Sequence, residues 1–280
     1  MTSTSSTHAN PGLLVSSDDL SRELESGVRP LLIDLRPAEA FAGGHLPGAV
    51  HLDLFGISIV DTDEAPLKAF FWIIEHLLAS RGVSADVPVV VYDEQSGIRA
   101  ARAFWFLDYF GHPSVRVLDG GYDAWTRARL PTTSDADKPN VTKWTGARDQ
   151  RRLATWREVN DRLGNPDTVI LDTRSDGEYC GTEVRAARSG AVPGAVHLEW
   201  TNNLDEDGAF KSERELREMY ERAGVTPDKE VISYCQGGYR AAHTYLALRL
   251  IGYPRVRNYV GSWKEWGDRT DLPIEHPSKP

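Results

Sequence analysis

Two cysteines in 280 residues, Cys180 and Cys235, are too few for a disulfide framework. They form no CxxC pair and the eight histidines are scattered, so no metal-ligand pattern is present. Positive charge is also short. Against 41 Asp and Glu stand 32 Lys and Arg, a net charge of −9, which excludes a general nucleic-acid binder because neutralising phosphates takes a surplus of cations. No apolar run is long enough to cross a bilayer; the longest candidate, Ala69 to Leu78, is broken by Glu75 and His76. The N-terminus, MTSTSSTHANPG, has neither the basic start nor the apolar core of a secretory signal and reads as a disordered tail. What remains is a soluble globular chain, 40% hydrophobic and 26% charged, long enough for two domains. Two thiols without a bridge fit a reducing, cytoplasmic setting.

The chain repeats itself. LLIDLRPAEAFAGGHLPGAVHLD, from Leu31, answers to VILDTRSDGEYCGTEVRAARSGAVPGAVHLE, from Val169. Asp34 and Arg36 match Asp172 and Arg174, Phe41 matches Tyr179, and Pro47 to Leu52 match Pro193 to Leu198. The second copy is longer around Thr182 to Ser189. Further on, VVVYDEQSGIRAARAFWFL matches VISYCQGGYRAAHTYLAL, with Arg99 on Arg240, and VRVLDGGYDAW matches VRNYVGSWKEW. Units this long are domains, not solenoid repeats. The stretch between them is rich in Pro, Thr, Asp and Lys and has no periodicity. The expected division is a first domain at 1–130, a linker at 131–150 and a second domain at 151–280.

Within each half, β-branched runs alternate with helical ones. Leu31–Leu35, Val89–Tyr92 and Val115–Leu118 are expected strands, with Val169–Asp172, Val231–Tyr234 and Val256–Tyr259 as their partners. Leu67–Ser80 has helical apolar spacing, Ser212 to Glu215 is a capping box opening a helix that stops at Gly224, and Arg240–Ile251 is another helix. This alternation predicts an α/β fold, each half a mostly parallel sheet flanked by helices. Ligands of such sheets bind at the carboxyl ends of strands, where Cys235 lies.

A lone cysteine after a strand is more often core than catalyst. The neighbours of Cys235 shift that balance. In Cys235-Gln236-Gly237-Gly238-Tyr239-Arg240 the glycines let backbone N–H groups converge, and the first N–H groups of the next helix are unpaired within it. Together they form an anion nest backed by the helix dipole, and a thiol held there has a lowered pKa. Arg240 adds a fixed cation suited to an oxyanion. Cys180 has no such neighbours and reads as structural. With Arg99 aligned on Arg240, Glu94 stands where the cysteine should be, so the first half cannot carry a covalent sulfur and reads as scaffold and cleft wall.

These residues resemble the tandem-domain rhodanese-like sulfurtransferases, over nearly everything after Asp18. Phe41 to Ala49, FAGGHLPGA, looks like the family's N-terminal signature, and Tyr259 to Trp266, YVGSWKEW, like its C-terminal one. The resemblance implies two tandem rhodanese-like domains, the first non-catalytic. It implies a Cys235 persulfide charged by thiosulfate or 3-mercaptopyruvate and discharged to cyanide, a small thiol or a reduced protein thiol. No metal or organic cofactor is implied, and a monomer is. Cys235 is then the persulfide carrier and Arg240 contacts the donor, while Gln236, Gly237, Gly238 and Tyr239 supply loop amides. Gly237 stands where thiosulfate-using members often have a basic side chain, and mercaptopyruvate-using members tend to lack the arginine. Arg240 tilts the donor toward the dianion thiosulfate. Arg185 and Arg188, in the inserted segment, either line the mouth and attract anions or form a solvated charged loop. Ala191 replaces the histidine kept as His45 and is expected to alter local packing only.

Rival readings are weaker. A related phosphatase group spaces its loop Cys-x5-Arg, one residue longer than Cys235-x4-Arg240, and phosphoryl transfer wants a general acid that no Asp here supplies. A relay of persulfide to a protein partner uses the same chemistry. A non-catalytic binding module is contradicted by the retained cysteine loop. Trp125 and Trp266 are repeat partners and so packing residues; Trp200 is placed to reach the cleft. Asp34–Arg36 and Asp172–Arg174 recur in both halves and read as structural ion pairs.

Overall fold

Short β-branched runs bounded by turn residues become strands buried on both faces, one set in each half of the repeat. The computed structural model describes residues 8–278. In the first half β1 (Leu14–Val15), β2 (Leu31–Asp34), β3 (Val50–His51), β4 (Val89–Tyr92) and β5 (Val115–Leu118) form a sheet in the order β1-β5-β4-β2-β3. In the second, β6 (Leu153–Ala154), β7 (Thr168–Asp172), β8 (Val196–His197), β9 (Glu230–Tyr234) and β10 (Val256–Tyr259) repeat it as β6-β10-β9-β7-β8. Every pairing within these sheets is parallel. Parallel neighbours require crossovers. These are supplied by α1 (Ser17–Glu25), α2 (Ala38–Gly43), α3 (Glu64–Ala79) and α4 (Ile98–Tyr109), then by α6 (Trp156–Asp161), α7 (Asp176–Tyr179), α8 (Glu213–Arg222) and α9 (Tyr239–Leu250), while α5 (Gly121–Arg127) and α10 (Ser262–Asp268) follow the last strand of each half.

The α/β architecture is the one expected, and expected strands match to within a residue. The helix expected from Leu67 starts earlier, at Glu64, because Pro66 is tolerated in a first turn. Residues 1–7 of the expected tail lie outside the described residues. The rest of that stretch is ordered, which corrects the expectation: the Asn10 amide donates to Leu250 O (3.0 Å) and its side chain to Arg249 O (2.6 Å). Leu250 O has no partner within α9 and Arg249 O also accepts from Gly252 N–H (3.1 Å), so the N-terminal segment caps a helix of the other half.

The halves meet along α4 and α9, which pack against each other. Each is buried nearly all round, because its own sheet covers one face and the partner helix the other. Small residues at Ala100, Ala101, Ala241 and Ala242 permit close approach, and one apolar cluster runs from Phe104 and Trp105 to Tyr245 and Leu246.

The repeated ion pairs are structural, as expected. Arg36 clasps Asp34 (2.6 Å) and donates to Gly44 O; Arg174 clasps Asp172 (2.5 Å) and donates to Gly190 O. All four side chains are buried. Trp125 and Trp266 also repeat their roles, each Nε1–H donating at 2.8 Å, to Pro131 O and Pro273 O.

Asp172→Ala leaves the Arg174 guanidinium buried without its carboxylate, with Gly190 O as its remaining acceptor. It should lower the unfolding free energy in urea by roughly 3–5 kcal/mol.

Candidate active site

β9 ends at Tyr234, Cys235 follows at the carboxyl edge of the sheet, and α9 begins at Tyr239. The turn between them is fixed by three bonds to the start of α10. Cys235 N–H donates to Ser262 Oγ (3.1 Å), Cys235 O accepts from Trp263 N–H (2.8 Å), and Gln236 O accepts from Lys264 N–H (3.0 Å). Gly238 has φ +83°, and a Cβ there would meet Arg102 Nη1 at 2.7 Å and Val260 O at 2.8 Å, so both conformation and space demand glycine.

This geometry aims donors at the sulfur. Gly238 N–H reaches Cys235 Sγ at 3.1 Å, and the amides of Gly237 and Ala241 also bear on it. Burial pushes the thiol pKa up, but the Arg240 charge and these amides outweigh it, and the net shift is downward. Cys235 is 1% exposed, and it forms part of the wall of a pocket of about 370 Å³. Phe55, Ser58 and Ile98 of the first half face Arg185, Arg240 and the loop across it. A larger groove of about 510 Å³, lined by Arg151, Arg152, Arg255 and Arg257, has no nucleophile.

Arg240 lies beside the sulfur and is held there by Glu178, which takes its guanidinium in a fork at 2.5 and 2.9 Å. Burial pushes the Glu178 carboxyl up; Arg240, the Ser175 amide and Arg185 overcome that and hold it at about 2. Arg185 lines the pocket and reaches Glu178 at 3.4 Å. Arg188 does not line it, which corrects the expectation. Its guanidinium donates to the carbonyls of Trp266, Gly267, Arg269 and Leu272, pinning the inserted segment to the end of α10. The loop side chains also do more than expected: Gln236 Nε2 donates to Arg185 O (2.7 Å), and Tyr239 OH to Leu54 O (2.9 Å) in the first half. Trp200 packs edge-on against His243 and is not among the residues lining the pocket. Cys180 closes α7 and is free, as is Cys235. Among the described residues no group of three or more His, Cys, Asp or Glu is placed to hold a metal ion.

Two charged site residues are not read from the sequence, Glu178 and Arg102, nor are the Ala241 amide and the first-half wall of Phe55, Ser58 and Ile98. Glu178 had a signal: Ser175-x-x-Glu178 is a capping box, and its counterpart in the repeat, counted from Asp34, is Ala40.

The first half contains the same nest with a different occupant. Asp34 pairs with Tyr92 as Asp172 pairs with Tyr234, so the residue in place of Cys235 is Asp93, not Glu94. The first loop is one residue longer, and counting back from Arg99 misses by that residue. The Asp93 carboxylate accepts N–H groups from Gly97 (2.9 Å), Arg99 (3.0 Å) and Ala100 (3.0 Å). Ala40 leaves no carboxylate to hold Arg99, which turns to Asp53 (2.7 Å). Burial pushes Asp93 up to about 7 despite its three amides.

The sequence pattern of the rhodanese-like domain matches residues 16–128 and 155–269. The thiosulfate sulfurtransferase of Pseudomonas aeruginosa is 35% identical over 263 residues, covering 94% of this chain and 97% of that one. The sulfur carrier protein TtuD of Thermus thermophilus is 34% identical over 284 residues, covering 95% and 98%. The anaerobic ergothioneine biosynthesis enzyme of Chlorobium limicola, solved with trimethyl histidine, superposes with TM-score 0.85 at 24% identity, over 95% of this chain and 71% of that one; it shares the fold. The chain belongs to the rhodanese-like family.

Asp93 has its folded pKa raised from 3.8 to about 7. Its stabilising contribution is present below about pH 4 and lost as pH rises through about 7. The melting temperature of the wild type relative to Asp93→Asn should therefore fall across that window; a flat difference contradicts the assignment.

Proposed function

We propose that this member of the rhodanese-like family is a sulfurtransferase that moves a sulfane sulfur from thiosulfate to a thiophilic acceptor through a persulfide on Cys235. The observation that carries this is the Cys235 sulfur, lowered in pKa, set in three amides beside Arg240 at a pocket shared by both halves. The thiolate attacks the outer sulfur of thiosulfate. That S–S bond breaks, its electron pair leaves with sulfite, and a new S–S bond joins the transferred sulfur to Sγ. The terminal sulfur is then the anion facing the nest. Cyanide or a thiolate attacks it, and the electron pair returns to Cys235.

Each residue has a part in this reading. The amides of Gly237, Gly238 and Ala241 stabilise thiolate and persulfide. Arg240, held by Glu178, presents positive charge to the dianionic donor, and Arg185 extends that charge toward solvent. The first half is non-catalytic because Asp93 already occupies its nest; it gives the pocket Phe55, Ser58 and Ile98. The enzyme works as a monomer, its two apolar interface helices covering each other, and in the cytoplasm, where free thiols persist. No helix among the described residues is long and apolar enough to cross a membrane.

A second reading keeps the chemistry and changes the acceptor. The Thermus relative is named a sulfur carrier, which favours delivery to a reduced protein thiol.

Thiocyanate formation from thiosulfate and cyanide tests the proposal. Wild type should turn over and Cys235→Ser should not. Arg240→Leu should lower kcat/KM by about 10²-fold, the loss typical of one charged donor at a developing anion. Faster turnover of 3-mercaptopyruvate would overturn the donor and keep the persulfide; equal inactivity of wild type and Cys235→Ser with both donors would overturn the enzyme.

A further inference from the structure

Arg102 lies on α4 of the first half, but its side chain ends beneath the active loop of the second. Nη1 donates to Gly237 O (2.9 Å), Nη2 to Ile57 O (3.4 Å), and the guanidinium sits 4.0 Å from the Tyr239 ring centroid. The residue is 0% exposed and its Nε has no partner. A buried cation ordinarily faces a carboxylate. Arg36, Arg174 and Arg257 do so. Among the described residues, the negative groups that bear on Arg102 are the Tyr239 hydroxyl and the Cys235 sulfur, while burial pushes its own pKa down.

The repeat provides the control. With Arg99 aligned on Arg240, the counterpart of Arg102 is His243 on α9, and the counterpart of Gly237 is Ser96. His243 Nε2 lies 2.8 Å from Ser96 O, the mirror image of the Arg102–Gly237 bond. Burial pushes His243 down to about 4, so it caps that carbonyl as a neutral donor, with Asn203 Nδ2 at its other nitrogen. A neutral donor is therefore sufficient to hold a loop carbonyl across this interface. The loop that carries the sulfur is met by a permanent charge instead.

We propose that Arg102 is the buried counter-cation of the Cys235 thiolate and of the persulfide formed on it, so that the non-catalytic half supplies part of the charge that keeps the sulfur anionic. The proposal rests on the reading of Cys235 as sulfur carrier. Arg102 is a positioning residue: it acts from behind the loop, away from the donor. Arg240 is the leading charge that lowers the thiol, but Glu178 shares it in a two-point clasp. Arg102 has no such partner, and in a dry site an unshared charge acts with little screening. The other charged or titratable groups around the sulfur are Arg240 and Arg185 at the mouth, Glu178 behind them and Tyr239 beside it.

The test is the pH dependence of Cys235 alkylation by iodoacetamide in the full chain, followed on the Cys235 peptide by mass spectrometry. Arg102→His copies the neutral cap of the other half, keeping a donor for Gly237 O and removing the charge. The thiol midpoint should rise by about one pH unit, so that alkylation at pH 7 slows about tenfold and meets the wild-type rate at alkaline pH. Arg102→Lys, which retains the charge, should stay near the wild-type midpoint. A folded Arg102→His with the wild-type profile overturns the proposal, as does Arg102→Lys shifting as far as Arg102→His. Should Arg102→His fail to fold, Arg102→Gln is the neutral variant read in the same way. Because alkylation needs no sulfur donor, a wild type that fails to turn over thiosulfate would overturn the proposed function and leave this titration standing.

Discussion

A sulfur anion removed from water must be met by donors and cations fixed in advance, and most of this architecture follows from that demand. The Cys235 sulfur is buried, so its charge rests on what the fold places around it. A parallel strand delivers the cysteine to the carboxyl edge of the sheet. A glycine at φ +83° turns the chain so that its N–H, with those of Gly237 and Ala241, faces the sulfur. α10, reached through Ser262, ties the loop down from behind. The pocket between the halves then borders this arrangement.

The repeat shows what amides can and cannot do. Both halves build a nest at the same place, and each nest holds an anionic group. In the first half Asp93 receives three N–H groups, yet burial drives its pKa up to about 7. In the second half Cys235 is buried as deeply, yet its pKa falls. The difference lies in the neighbouring charges: Glu94 adds a like charge beside Asp93, and the cations differ. Arg99, with no carboxylate at Ala40 to hold it, turns away to Asp53, and His243 is neutral. Arg240 is held over the sulfur by Glu178, and Arg102 approaches from the other half. One duplicated loop thus became a self-filled structural element and its twin an open anion site.

Much of this was legible in the sequence. The β-branched runs, the capping box at Ser212 and the recurrence of Asp-x-Arg in both halves defined the strands, a helix start and two buried ion pairs. Cys235 and Arg240 stood out because Gly-Gly after a strand and before a helix has few other uses. The rest depended on long-range geometry. Counting along the sequence puts Glu94 opposite Cys235, because a one-residue difference in loop length is invisible without strand register. Arg188 reads from sequence as either a mouth residue or a solvated charge, but a run of carbonyls at the end of α10 claims its guanidinium. Arg102 gave no signal, since its partner carbonyl is 135 residues away. The segment around Asn10 looked like a tail because the carbonyls it caps belong to the other half.

The central claim is that Cys235 takes up and holds one sulfur atom. Intact mass after incubation with thiosulfate, with acceptor withheld and reagent removed, tests it most directly. The account predicts a gain of a single sulfur on wild type, located on the Cys235 peptide, lost on adding cyanide and absent from Cys235→Ser. No gain on wild type, or the same gain on Cys235→Ser, would contradict it.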